Sequence, residues 1–268
     1  MTDEQPYQPL GRAPSPEQAA PPEAPPPPPP HEPDSRCPFW SYSDLALFVG
    51  LFIGSAAVSI GAVGVAVRIF HIEVVSKVTE ALIIQSLLYV LSFSALALLF
   101  RVQYNAPFWR SLGWAPLRAP AALIVFFGVL TALSIAFVSV LLQTPTTSNR
   151  ITEMLEDPRS VGLVAAFGLT LGPLAEELIF RGFLQPLFVR SFGALSGILA
   201  AAVPFGLLHF QEYGNSWRHA LLITLAGAAF GWMRHRTGST KASTLMHASY
   251  NALEFVAYFT QKGQSLQT

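Results

Sequence analysis

Three groups of residues at four-residue spacing stand in otherwise apolar surroundings. Glu176 and Glu177 precede Arg181 in Ala175-Glu176-Glu177-Leu178-Ile179-Phe180-Arg181-Gly182, Phe205 precedes His209, and His247 precedes Asn251. A carboxylate, two imidazoles and a carboxamide supply a base, a second proton-handling group and donors for a developing oxyanion. Those are the parts that acyl transfer or peptide hydrolysis requires. Glu176, His209 and His247 also form a possible zinc set, since zinc takes imidazole and carboxylate, and residue type alone does not choose between the two chemistries. Nucleophilic catalysis finds less support. There is no Gly-x-Ser-x-Gly stretch, the single cysteine, Cys37, stands in a proline-rich tail, and the His-Glu-x-x-His pattern of soluble zinc proteases is absent.

A helix must carry the first group, because residues four apart then share a face while neighbours are rotated by about 100°. On that geometry Arg181 neutralises Glu177, and Glu176 is left to face a cavity and act as a base near neutral pH. The pairing matters because each charge costs about 2.5–3.5 kcal/mol at mid-bilayer on insertion scales.

The rest of the chain reads as the membrane frame for these residues. Its 268 residues are 51% hydrophobic and 12% charged, with a mean hydropathy of +0.43, too apolar for an ordinary soluble domain. Sixteen basic and sixteen acidic residues leave a formal charge of zero, so no overall field points to nucleic acid. Apolar runs at 45–67, 81–100, 119–142, 161–184, 194–210, 219–233 and 242–260 predict an all-α transmembrane bundle of about seven spans. The organisation expected is a disordered proline-rich tail over 1–40, amino-terminal membrane helices with an interfacial segment over 41–118, a catalytic membrane domain over 119–260 and a short tail over 261–268. The first tail has no basic start followed by an apolar core, so the first span must serve as the targeting signal. Loop cations favour a cytoplasmic amino terminus.

Finer features carry expectations of their own. Gly50 with Gly54, and Gly227 with Gly231, are spaced for close helix packing. Residues 105–114, with Trp109, Arg110 and Trp114, read as an interfacial anchor, and residues 70–80 as a similar surface element. The Gly172-Pro173 step loosens its helix and opens a polar cavity. His219 and His235 snorkel to the interface beside arginines. Glu212 reads as an interfacial carboxylate, and Glu254, which shares the face of Asn251 one turn on, is read outside the cavity.

The sequences Glu176-Glu177-Leu178-Ile179-Phe180-Arg181, Phe205-Gly206-Leu207-Leu208-His209 and His247-Ala248-Ser249-Tyr250-Asn251 resemble the EExxxR, FxxxH and HxxxN motifs of the CPBP family. That family comprises intramembrane proteases that include the CAAX prenyl endopeptidases and bacterial relatives linked to bacteriocin processing or immunity. The resemblance covers residues 119–260, with Arg236-Thr237-Gly238-Ser239 similar to the family's lead into its last helix, and residues 1–118 carry no comparable motif. It implies that Glu176 and His209 activate the attacking water, that His247 and Asn251 stabilise the oxyanion, and that Glu177, Arg181 and Phe205 support the site. Family members have been described both as metalloproteases and as metal-independent glutamate proteases. The cofactor is therefore zinc or none, and the oxyanion role of Asn251 favours none. Membrane lipid and a protein or peptide substrate, prenylated in the best-known cases, are the implied partners. Two other readings compete: a catalytically silent membrane protein that binds peptides for immunity or scaffolding, and a proton-coupled transporter. The transporter predicts an internal repeat, and the two halves show none.

Overall fold

The structure, a computed structural model, describes Thr2 and residues 38–70, 76–145 and 150–265, with the side chains of residues 150, 151 and 263–265 also left aside. Most of the expected proline-rich tail, with Cys37 and His31, lies outside the described residues, as do His71 and the rest of the 71–75 stretch of the 70–80 element. The described helices fall within a unit spanning Arg36–Thr268. Every described element is helical.

Helices α1 (Tyr42–Ile69) and α2 (Lys77–Tyr104) form the first pair. At the start of α1 the Asp44 carboxylate accepts from the Ser41 backbone N–H at 2.7 Å, half of a capping box, and from the Tyr104 hydroxyl at 2.7 Å, which ties that start to the end of α2. Asn105, in the left-handed region at φ 49°, ends α2. The expected interfacial anchor contains a short helix, α3 (Phe108–Ser111). Trp109 is half exposed, as an anchor requires, but Leu112 is fully buried. The Leu112 carbonyl accepts from the Thr240 hydroxyl and the Gly113 carbonyl from the Thr240 N–H, so this segment also caps the last helix. After it come α4 (Ala121–Leu141) and the short α5 (Arg150–Met154).

The charged run occupies one long, interrupted rod: α6 (Val161–Leu169), α7 (Leu171–Glu177), a π-helical turn (Leu178–Leu184) and α8 (Gln185–Phe192). Before it, the Arg159 backbone N–H holds the Asp157 carboxyl below its usual range, and Ser160 Oγ lies 2.8 Å from Ser76 Oγ. The break falls at Thr170, at φ −129° and ψ −80°, three residues before Pro173. Proline has no N–H for the carbonyl four residues back and its ring crowds that carbonyl, so the expected loosening is displaced upstream of the Gly172-Pro173 step. The chain ends with α9 (Ala194–Leu208), α10 (Trp217–Thr237) and α11 (Thr240–Ser265). Gly238, at φ 66°, caps α10, and the Ser239 hydroxyl donates to the Ala115 carbonyl. That is how the Arg236–Ser239 segment leads into α11.

All seven apolar runs lie on helices, yet the count of about seven spans is not confirmed. Among the described residues four stretches are long and apolar enough to cross a membrane: α1, α2, α4 and the rod from Val161 to Phe192. The fifteen residues of α9 cover about 22 Å at 1.5 Å per residue, short of the roughly 30 Å of hydrocarbon. Helices α10 and α11 are long enough but too polar, with Arg234, His235 and Arg236 on one and His247, Asn251 and Glu254 on the other.

Candidate active site

The first motif folds into the most buried ion pair among the described residues. Arg181 Nη1 lies 3.0 Å from Glu177 Oε1, and both side chains are essentially sealed, at 1% and 0% exposure. The π-helical turn then directs two side chains at α10. Arg181 Nη2 donates to the Gly227 carbonyl at 2.8 Å, and Gln185 Nε2 donates to the Gly231 carbonyl at 2.9 Å. Residues four apart on one rod thus read carbonyls four apart on the next. The glycines make room: a Cβ on Gly227 would stand 2.9 Å from Arg181 Nη2, and one on Gly231 would stand 2.7 Å from Gln185 Oε1. The close packing expected of this pair is present. The guanidinium also lies over the Phe205 ring at 4.3 Å, a cation–π contact inside the bundle.

The second acceptor role of Glu177 organises the third motif. Glu177 Oε1 accepts from His247 Nδ1 at 3.1 Å. A carboxylate can only accept, so Nδ1 carries a proton and Nε2 is the nitrogen of His247 left for other partners. That Nε2 lies 3.8 Å from Oε2 of Glu176, whose side chain is 27% exposed. The two adjacent glutamates therefore live in different surroundings, one sealed against arginine and one open to a cavity. Phe230 stacks on the imidazole of His247 at 4.5 Å and 19°, which fixes the ring from its face as Glu177 fixes it from its edge.

His209 closes α9. Its Nδ1 lies 2.8 Å from the Phe205 carbonyl, which can only accept, so Nε2 is again the nitrogen left for other partners. Phe205 meets the same imidazole edge to face at 5.0 Å. Asn251 Nδ2 donates to the Gly168 carbonyl at 2.8 Å. In an unbroken helix that carbonyl would pair with residue 172, so the carboxamide satisfies a group freed by the break at Thr170. One N–H of the carboxamide remains.

Glu176, Phe205, His209, His247 and Asn251 all line one cavity of about 350 Å³. Glu212, Tyr213, Tyr250 and Glu254 line it too. Glu212 and Glu254 thus belong to the cavity wall rather than to the interface alone. His219 stacks on Tyr213 at 4.6 Å, while His235 is exposed beside Trp232. Sequence reasoning missed Phe230 and Gln185, which belong to no motif; the only signal near them was the glycine pair they pack beside. Among the described residues no three His, Cys, Asp or Glu side chains come close enough together to hold a metal ion. The set Glu176, His209 and His247 does not form a ligand cluster in this arrangement.

Residues 158–253 match the family model described as Type II CAAX prenyl endopeptidase Rce1-like. The match contains all three motifs and bears out the resemblance drawn from them, over a shorter stretch than 119–260. With the four apolar helices it supports an integral membrane protein and a protease of CAAX type. No curated protein and no solved structure matches the chain.

Proposed function

We propose that the protein is an intramembrane endopeptidase that hydrolyses a peptide bond in a lipidated or membrane-associated protein or peptide, without a metal. Glu176 takes the proton as the water oxygen attacks the carbonyl carbon, while Nε2 of His209 accepts a hydrogen bond from the same water and holds it in place. His247 as an imidazolium, giving Nδ1–H to Glu177 and Nε2–H to the carbonyl oxygen, holds the negative charge there together with the remaining N–H of Asn251, and the proton taken from water passes to the leaving amine as the C–N bond breaks. The observation that carries this reading is the open carboxylate of Glu176 facing an imidazole whose other nitrogen is locked by a buried, arginine-paired glutamate. Sealing Glu177 keeps it out of the proton traffic, and the open wall leaves Glu176 within reach of water.

The test uses the full chain in liposomes with a quenched, prenylated CAAX-type peptide, alongside metal analysis of the same preparation. Cleavage is expected in metal-free protein, undiminished by chelator, and Glu176→Gln should lower kcat by about 10²–10⁴-fold. Wild-type rates in Glu176→Gln would overturn the assignment. Loss of activity with chelator, restored by zinc, would overturn the metal-free route.

A further inference from the structure

The residues that α11 gives to the cavity are spaced along a line. His247, Asn251, Glu254, Tyr258 and Gln261 follow one another at intervals of four and three, so they share one face and the cavity follows the helix for fourteen residues. At 1.5 Å per residue that is a path of about 21 Å. An extended peptide rises about 3.3 Å per residue, so the path accommodates about six residues. Glu254 lies seven residues, or about 10 Å, beyond His247, which corresponds to about three extended residues from a bond held at the imidazole.

The wall of this path is acidic. Glu176, Glu212 and Glu254 line it, and among the described lining residues there is no lysine or arginine. Lys262, near the outer end, directs its ammonium at the Leu155 carbonyl and the Tyr258 ring. Glu254 itself has no ion-pair or hydrogen-bond partner among the described residues, while Tyr250 and Phe255 flank it on the lining. A carboxylate placed here would meet like charge with no cation to offset it. A lysine or arginine would lay its apolar stem along the aromatic rings and bring its charge to Glu254.

We infer that Glu254 is a specificity-determining residue that selects a basic side chain about three residues from the cleaved bond. The inference rests on the protease reading above and names the substrate feature that reading leaves open. It is tested with the full chain in liposomes and lipidated, quenched peptides in which a single lysine is moved along six positions on either side of the cleaved bond of an otherwise neutral sequence. Each peptide is read as kcat/KM relative to the neutral one within the same variant. Wild type should prefer lysine at the third position by about tenfold. Glu254→Gln should level that preference, and Glu254→Lys should shift it to glutamate at the same position. A flat series in wild type, or the same ranking in Glu254→Gln, overturns the inference while leaving the protease reading intact. Cleavage by Glu176→Gln at the wild-type rate brings down the reading itself.

Discussion

Two glycine pairs with the same spacing meet opposite surroundings. Gly227 and Gly231 in α10 are pressed against the π-helical turn and its neighbours, whereas a Cβ on Gly50 or Gly54 in α1 would meet nothing within 4 Å. The contrast extends to whole regions. Outward-facing α1 leaves Ile53, Val58 and Ile60 exposed, and lipid can cover them without any specific partner. The rod from Val161 to Phe192 instead buries Glu177, Arg181 and Gln185, whose polar atoms must find partners in the protein. Small residues in a membrane helix therefore signify packing only where something polar or bulky has to be received opposite them. The expectation that Gly50 and Gly54 pack a neighbouring helix is not met among the described residues.

The largest effect separating the two regions should come from Arg181. Arg181→Met would leave Glu177 buried with His247 and Ser243 as its remaining partners, and breaking one side of such a pair costs about 3–5 kcal/mol. Adding Glu177→Gln should restore part of the loss, since the uncompensated charge is then gone. Equilibrium unfolding in mixed micelles would measure both, and a double variant no more stable than the single would show that the pair is not what stabilises the rod. Gly227→Ala comes next. The new methyl would stand 2.8 Å from Phe205 Cδ1 as well as 2.9 Å from Arg181 Nη2. Overpacking of this kind costs about 1–3 kcal/mol. Because the same clash displaces the ring against which His209 rests, thermal stability and peptide cleavage should fall together. Unchanged unfolding would mean that α9 and α10 can part freely.

How much of this was legible beforehand follows from the same physics. Charges in an apolar helix are expensive, so Glu176, Glu177 and Arg181 stood out, and a four-residue spacing was enough to assign Glu177 to Arg181 and Glu176 to an open face. The helices were legible as apolar runs. Their status as spans was not, because polar residues such as Arg234, His235, His247 and Asn251 interrupt the apolar character of α10 and α11. The π-helical turn has no marker in Leu178–Leu184, although it is what lets Arg181 and Gln185 reach α10. Asn251 could be read as an oxyanion donor, but not as the partner of the Gly168 carbonyl. That bond depends on where α6 stops, which is set by a proline four residues further along. Phe230 was one aromatic among many until its ring was found on that of His247. The two glycine pairs were indistinguishable on paper, since what separates them is the side chain standing opposite.

The smallest effect expected is the sharpest check on that distinction. In Gly50→Ala the added methyl enters open space, so no packing is lost, and alanine restricts the unfolded backbone more than glycine does. The variant should be unchanged or more stable by up to about 1 kcal/mol, with cleavage at the wild-type rate, since α1 contributes no residue to the cavity wall. The same measurement on Gly54→Ala should agree in sign. A loss of more than about 1 kcal/mol in either variant would mean that this face of α1 receives another polypeptide in the membrane. The difference between the two glycine pairs would then lie in which molecule supplies the neighbour, and no longer in whether one is present.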